Sequence, residues 1–259
     1  GKGYAPAEKD PVKFHGIGPF NIETGESIGI NNSNTFTQVF SEELLNLAAK
    51  DEKICAITAA MTTGTGLLPF SKQYSDRFFD VGIAEQHAVT FAGGLARSGM
   101  KPVVAIYSTF IQRAVDQLIH DIALQSVPAV FVLDRSGAVP LDGETHQGVF
   151  DISLLRPVPG VSLIAPASAI ELQLMLRWAF NQTFPVIIRY PKGVCPQNRD
   201  EFYQPIEQGQ GVLCKRSIPD YADKIKNAKK DLLFVCTGGI FPEVQKATDL
   251  LAQENGIKA

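Results

Sequence analysis

Asp80-Val-Gly-Ile-Ala-Glu-Gln-His-Ala-Val-Thr-Phe-Ala-Gly-Gly-Leu-Ala96 decides the reading of this chain, because an apolar strand turns there into a tight helix with an ionisable residue at the corner. Arg77 to Ile83 reads as a short strand and Ala84 to Arg97 as a helix, whose Gly93-Gly94 pair would let it pack closely on the sheet. Glu85 then falls in the first helical turn, at the strand's carboxyl end. A carboxylate in that place complements the helix dipole, worth roughly 0.3 to 1 kcal/mol, or is held to exchange a proton. Both readings stand on this stretch alone. In open α/β sheets, ligands bind beyond the carboxyl ends of the strands, which favours the second.

Working outward, short apolar strands alternate with amphipathic helices from Thr37 to Arg189. The pattern predicts helix to Lys50, strands at Ile54–Thr58 and Phe78–Gly82, helix 84–97, strand Pro102–Tyr107 and helix 109–124. Strand Ala129–Asp134, a long loop to Gly148, strand Val161–Ala165, helix Ser168–Phe180 and strand Pro185–Arg189 follow. Such alternation implies an α/β domain, a mostly parallel sheet with helices on both faces. Residues 1–35 are rich in Gly, Pro and Asn and read as an extended connection. Residues 36–200 form the domain and 201–230 a linker ending in the lysine-rich, solvated Lys224 to Lys230. Asp231–Thr237 reads as a strand and Phe241–Asn255 as a helix. One βα unit cannot bury its own faces, so 231–259 is expected to open a further α/β domain that is cut short.

At 259 residues the chain can bury about 70 to 75% of its unfolded surface, and 45% hydrophobic residues is ordinary for a globular protein. A formal net charge of -3 gives no basic field, which argues against nucleic acid as a partner. Anionic substrates must be met by local arginines. The four cysteines, Cys55, Cys195, Cys214 and Cys236, form no C-x-x-C pair and read as reduced structural thiols, so no metal site is expected from them. No apolar run approaches the ~20 residues that span a membrane. The amino terminus has neither an initiator Met nor an apolar signal core.

Several side chains group around the strand ends. Phe110 lies three residues after Tyr107 at a strand-to-helix junction, as a core aromatic or as a ring platform. The loop from Asp134 to Gly148 carries Arg135, Asp142 and His146, with Asp142 four positions before His146 to orient it. Loops of that length in compact domains are commonly functional. Arg135 and Arg189 both follow strands at one sheet edge, where two planar guanidinium forks could converge on an anion or simply form surface ion pairs. Arg113, one turn after Phe110, could steer a substrate carboxylate. Tyr4 follows two glycines that allow close backbone approach to a ligand.

Five segments recur in the order of one family: Gly1-Lys-Gly-Tyr4, the Glu85 stretch, Tyr107-Ser-Thr-Phe-Ile-Gln-Arg113, Asp134-Arg-Ser-Gly with Asp142-Gly-Glu-Thr-His-Gln-Gly148, and Arg189-Tyr-Pro-Lys-Gly193. The combination closely resembles the 1-deoxy-D-xylulose-5-phosphate synthases, thiamine-diphosphate enzymes related to transketolase, over the whole chain but only over the middle of those proteins. The resemblance implies decarboxylation of pyruvate and carboligation to D-glyceraldehyde 3-phosphate, a step toward isoprenoid, thiamine and pyridoxal precursors. It implies that Glu85 hydrogen-bonds the cofactor's pyrimidine, that Phe110 lies against that ring, and that Tyr4 contacts the cofactor. It places Asp142, His146, His15 and Tyr107 near the reacting carbon, and Arg135 and Arg189 on the acceptor phosphate. It further implies Mg2+ held by a preceding diphosphate-binding domain, a homodimer, and a cytoplasmic or plastid-like location. Without that domain, the chain alone is expected neither to hold thiamine diphosphate tightly nor to turn over.

Ala138-Val-Pro-Leu141 replaces a more Gly-rich stretch of the family, and Lys192 replaces the commoner Arg. Two other readings stay open: the β-type subunit of a 2-oxoacid dehydrogenase, against which the Asp142–Gln147 loop and Arg189-Tyr-Pro-Lys192 argue, and a non-catalytic scaffold that keeps the fold.

Overall fold

A computed structural model describes residues 2–28, 34–140, 142–214 and 232–255. The chain divides into two compact units, Gly1–Ser33 and Asn34–Ala259. In the first, helix α1 (Ala5–Lys9) carries Pro6 in its first turn, and the rings of Tyr4, Phe14 and Phe20 form a cluster with centroids 5.3 to 6.0 Å apart. An antiparallel bridge between Phe20 and Ser27 closes it.

The second unit is built on a six-stranded, wholly parallel sheet of β1 (Ile54–Thr58), β2 (Phe78–Asp80), β3 (Lys101–Tyr107), β4 (Val130–Asp134), β5 (Ser162–Ile164) and β6 (Val186–Arg189). Their order in the sheet is β2-β1-β3-β4-β6-β5. The six strands expected between Ile54 and Arg189 all form, and the α/β class with them. Side chains alternate across a strand, so Val103, Ala105, Val130, Val132, Val186 and Ile188 feed one buried cluster with α2 (Phe36–Ala48) and α7 (Ala169–Ala179). Val104, Ile106, Phe131, Leu133 and Ile187 feed the other, with α4 (Glu85–Arg97). Both faces are thus covered, as a parallel sheet requires. Thr35 begins α2 with a reciprocal capping box to Gln38.

Four details depart from the sequence reading. The expected helix 109–124 is instead a 3₁₀ turn (Ser108–Ala114), a short α5 (Val115–Gln117) and a π-helical turn (Leu118–Ala123). Gly93 meets that π turn, not the sheet: a Cβ there would lie 3.2 Å from the Asp121 carbonyl oxygen, while Gly94 faces open space. Helices α3 (Leu68–Gln73) and α6 (Asp151–Leu155) come from stretches too short for a clear helical period. Finally, Leu232–Thr237 shows no strand pairing among the described residues, whereas α8 (Phe241–Asn255) does form. Asp231 and the lysine-rich run to Lys230 lie outside the described residues. Among the described residues no helix is long and apolar enough to cross a membrane.

Two measurements check this packing. Phe131, fully buried at the sheet centre, should cost about 3 to 5 kcal/mol on truncation to Ala, whereas Leu124→Ala, on an exposed side chain, should change little in denaturant unfolding. Burial pushes the Cys55 thiol up to about 11 and the Cys195 thiol to about 12. Both should resist a thiol reagent at pH 8 in the folded chain, while the less buried Cys214 and Cys236 react faster.

Candidate active site at the carboxyl edge of the sheet

Chain order reverses beside β1, with β2 on one side and β3 on the other, so the crevice past their carboxyl ends is the topological switch point. Asp80 at the end of β2 anchors one wall. Its carboxylate accepts hydrogen bonds from the Ala60 backbone N–H at 2.7 Å, the Thr62 hydroxyl at 2.8 Å and the Gly82 N–H at 3.0 Å. The turn it holds delivers Glu85 into the first turn of α4, where only 1% of the residue is exposed. Glu85 Oε1 accepts a hydrogen bond from Arg113 Nη1 at 2.9 Å.

The opposite wall is set by the 3₁₀ winding after β3. Residues three apart eclipse one another in such a turn, and Tyr107, Phe110 and Arg113 accordingly line up. The rings of Tyr107 and Phe110 lie nearly parallel with centroids 6.1 Å apart, and the Arg113 guanidinium lies over Phe110 at 4.8 Å. The Arg135 guanidinium sits 3.8 Å from the Tyr107 ring centre. His146, on a 3₁₀ turn (Glu144–His146), meets Phe110 edge-on at 5.5 Å and Tyr107 at 6.1 Å. Tyr107, Phe110, Arg113, Glu85, Arg135, Asp142 and His146 are therefore one connected group. Burial raises the Tyr107 hydroxyl above its ordinary range.

Arg135 adopts a left-handed backbone, φ 60°, a conformation costly for a side chain of this size and commonest at functional positions. It is held by its Nη1, which donates to the Gly64 carbonyl at 2.7 Å and lies 3.1 Å from Asp134 Oδ1. Asp134 is fully buried and accepts a hydrogen bond from the Thr37 hydroxyl at 2.7 Å; burial raises its carboxyl despite the adjacent guanidinium.

Not all of the expected alignments hold. Asp142 does not orient His146: two cations claim it, Arg135 Nε at 3.4 Å and the Lys192 ammonium, and the His146 Nδ1 instead lies 3.0 Å from the Thr145 hydroxyl. Arg135 and Arg189 take separate partners. Arg189 pairs in register with Leu133 and so shares its face of the sheet, toward α6. There its Nε and Nη2 lie 2.7 and 3.3 Å from the two carboxylate oxygens of Asp151, which is almost wholly buried. Tyr4 and His15 belong to the first unit, where the Tyr4 hydroxyl donates to the Ile22 carbonyl at 2.8 Å and His15 is exposed.

Sequence reasoning assigned no role to Gly64, Gln147 or Lys192. A Cβ on Gly64 would lie 1.7 Å from the Tyr107 hydroxyl, so that position must stay empty for the ring to lie where it does. Gln147 braces the loop, its amide accepting from the Val139 N–H at 2.8 Å and donating to the Val139 and Gly143 carbonyls at 2.9 and 2.8 Å. Its place in His-Gln-Gly148 was the available signal. A separate cavity of about 1140 Å3 lies at the β5 edge among Leu163, Trp178, Phe202 and Phe234; it holds Arg189 but none of the connected group, and the chemistry points to the switch-point crevice instead. Among the described residues, no cluster of three metal-ligating side chains occurs.

The family follows from comparison. A model described as transketolase, pyrimidine binding domain, matches residues 32–197, and the chain belongs to that family. Curated relatives are narrower in kind: the 1-deoxy-D-xylulose-5-phosphate synthase of Treponema pallidum subsp. pallidum is 56% identical over 98% of this chain and 39% of its own length. That of Clostridium kluyveri is 58% identical over 74% of this chain and 31% of its own. The chain thus spans well under half the length of these relatives. A solved structure titled split gene transketolase, inactive beta4 tetramer, shares the fold at a TM-score of 0.71 and 24% identity, over 88% of this chain and 70% of that one.

The two roles open to Arg189 can be separated. Asp151→Ala would strand a buried guanidinium and should cost about 3 to 5 kcal/mol in denaturant unfolding. A loss under 1 kcal/mol would mean that Arg189 is free to serve a ligand.

Proposed function

We propose that this chain is the pyrimidine-binding portion of an enzyme that uses thiamine diphosphate to decarboxylate pyruvate and join the two-carbon unit to D-glyceraldehyde 3-phosphate, giving 1-deoxy-D-xylulose 5-phosphate and CO2. The observation that carries the reading is Glu85, a buried carboxylate in the first turn of α4, joined through Arg113 to a platform made by Phe110. Relatives of that activity align across nearly the whole chain. The donor set suits an aminopyrimidine: a carboxylate for the ring's edge and an aromatic for its face, with the flat guanidinium of Arg113 already fitting between them.

Thiamine diphosphate supplies a stabilised carbanion at its thiazolium ring, and the protein's task is to set the proton balance of its pyrimidine. Glu85 would do this by holding or releasing a proton at its carboxyl, which is almost wholly buried. Phe110 fixes the plane of the ring. His146, against Phe110 and Tyr107, is the group able to move a proton near the reacting carbon, help worth roughly 100 to 10,000-fold in rate. Arg135 meets the acceptor phosphate, and Lys192, which shares Asp142 with it, takes the place beside it. Arg189 then acts through Asp151, by pinning α6. Tyr4 and His15 are assigned to cofactor and substrate on the family pattern alone. Mg2+ and the diphosphate belong to a preceding domain, of which residues 1–35 are the tail; residues 231–259 open the next domain. The active form is a homodimer.

The test uses the longer protein that carries this chain. Glu85→Gln should leave the fold intact and abolish deuterium exchange at the thiazolium carbon; exchange at the wild-type rate would sink the assignment. Arg135→Ala should lower kcat/KM for glyceraldehyde 3-phosphate by roughly 30 to 1,000-fold, with a much smaller effect on pyruvate binding. Turnover with a lipoyl carrier in place of the phosphorylated aldehyde would favour a 2-oxoacid dehydrogenase instead. In calorimetry, submicromolar binding of thiamine diphosphate with Mg2+ by the 259-residue chain alone would contradict the need for a preceding domain.

A further inference from the structure

We infer that Arg113 is a placeholder in the ring slot: its guanidinium occupies, in the free chain, both contacts that a bound ring needs, and it must swing out when the ring enters. The inference rests on the reading of Glu85 and Phe110 as the two walls of that slot. Glu85 gives one of its oxygens to Arg113 Nη1 at 2.9 Å, and the same guanidinium lies 4.8 Å from the centre of the Phe110 ring. A guanidinium is planar and carries N–H donors along its edge, so it imitates a flat heteroaromatic that stacks by its face and hydrogen-bonds by its rim.

The exposures show which partner is the movable one. The Glu85 side chain is 2% exposed and that of Arg113 is 44% exposed, so the guanidinium is the layer between the carboxylate and solvent. Arg113 ends the row begun by Tyr107, on the solvent side of a 3₁₀ turn, and its long stem can carry the charged head into water with no backbone change. The carboxylate has no such freedom, since it is held by the first turn of α4.

Two consequences follow for ligand choice. A ring that enters must replace the hydrogen bond it removes from Glu85, because a buried carboxylate left unpaired is strongly unfavourable. A ring with no polar edge, which stacks on Phe110 equally well, fails that condition. Arg113 therefore makes the slot selective for flat groups with a hydrogen-bonding rim, and it keeps Glu85 paired when none is present. The cost is paid in affinity, since every ligand must first displace an ion pair and a stacked cation.

The experiment uses the 259-residue chain and thiamine as the probe, which brings the ring without the diphosphate, so that no metal is involved. Binding is read by NMR, which registers weak affinities, with the Arg113 Nε–H resonance followed in 15N-labelled chain. Thiamine should shift that resonance toward the position of a free arginine side chain. Arg113→Ala should bind thiamine about tenfold tighter than wild type, equivalent to about 1.4 kcal/mol, and Arg113→Lys, which keeps the charge but cannot lie flat on Phe110, should fall between them. Glu85→Ala should weaken binding. If Glu85→Ala weakens binding but the Arg113 resonance stays in place, or Arg113→Ala binds no tighter, the placeholder role is wrong and the slot survives. If binding is absent throughout or indifferent to Glu85, the slot itself is wrong, and the placeholder role falls with it.

Discussion

The way the chain leaves β3 governs the whole carboxyl edge. Had residues 108–114 wound as an α-helix, Tyr107, Phe110 and Arg113 would have stepped round the axis by about 60° from one to the next, about 120° in all, and the three side chains could not share one line. The tighter 3₁₀ turn eclipses them, and a ladder results: guanidinium, phenol ring, phenyl ring, guanidinium, carboxylate, running from Arg135 to Glu85. It ties the loop after β4 to the helix after β2, two segments far apart in sequence. The π turn that follows is part of the same arrangement, since irregular winding there brings the Asp121 carbonyl against Gly93 of α4.

A second regularity is ionic. Of the five buried acids among the described residues, Glu43, Glu85, Asp134 and Asp151 are paired with Arg177, Arg113, Arg135 and Arg189, while Glu171 accepts the Ala167 backbone N–H. Such pairs contribute little net stability, because desolvation offsets most of the attraction. Their effect is on position. Arg177 joins α7 to α2, Arg189 joins β6 to α6, and Arg135 bends the exit of β4 into a backbone conformation that its side chain would otherwise avoid. Two of the four pairs, Arg113–Glu85 and Arg135–Asp134, belong to the connected group at the site.

The strands were legible because each is a short apolar run bounded by turn residues, and a parallel sheet buried on both sides writes that pattern plainly. Helices α2, α4 and α7 were legible for the same reason, each carrying an apolar stripe long enough to show its period. The winding of 108–123 was not, since 3₁₀, α and π turns differ in hydrogen bonding far more than in composition. The strand expected at 231–237 shows the converse: its residues suit a strand, yet Leu232–Thr237 shows no pairing among the described residues. At the site, the family resemblance and the strand-end positions together pointed to Glu85, Tyr107, Phe110, Arg113, Arg135, Asp142 and His146 as neighbours. It could not assign partners, because Asp142 has a choice between a histidine four residues away and two cations that only the folded chain brings near. For Arg189 the sequence left open a shared anion or an ion pair, and its pairing with Asp151 depends on a helix that only the folded chain brings beside β6.

Gly64 lies in the loop after β1 and Tyr107 is the last residue of β3, yet the phenol fills the volume that any side chain at 64 would need, with the hydroxyl only 1.7 Å from where a Cβ would sit. Neither position can drift alone. An alanine at 64 demands a shorter residue at 107, and a shorter residue at 107 removes the surface on which Arg135 rests. Descent with modification should therefore leave the two positions either unchanged together or altered together, so that a pair of columns far apart in an alignment would carry the memory of one contact.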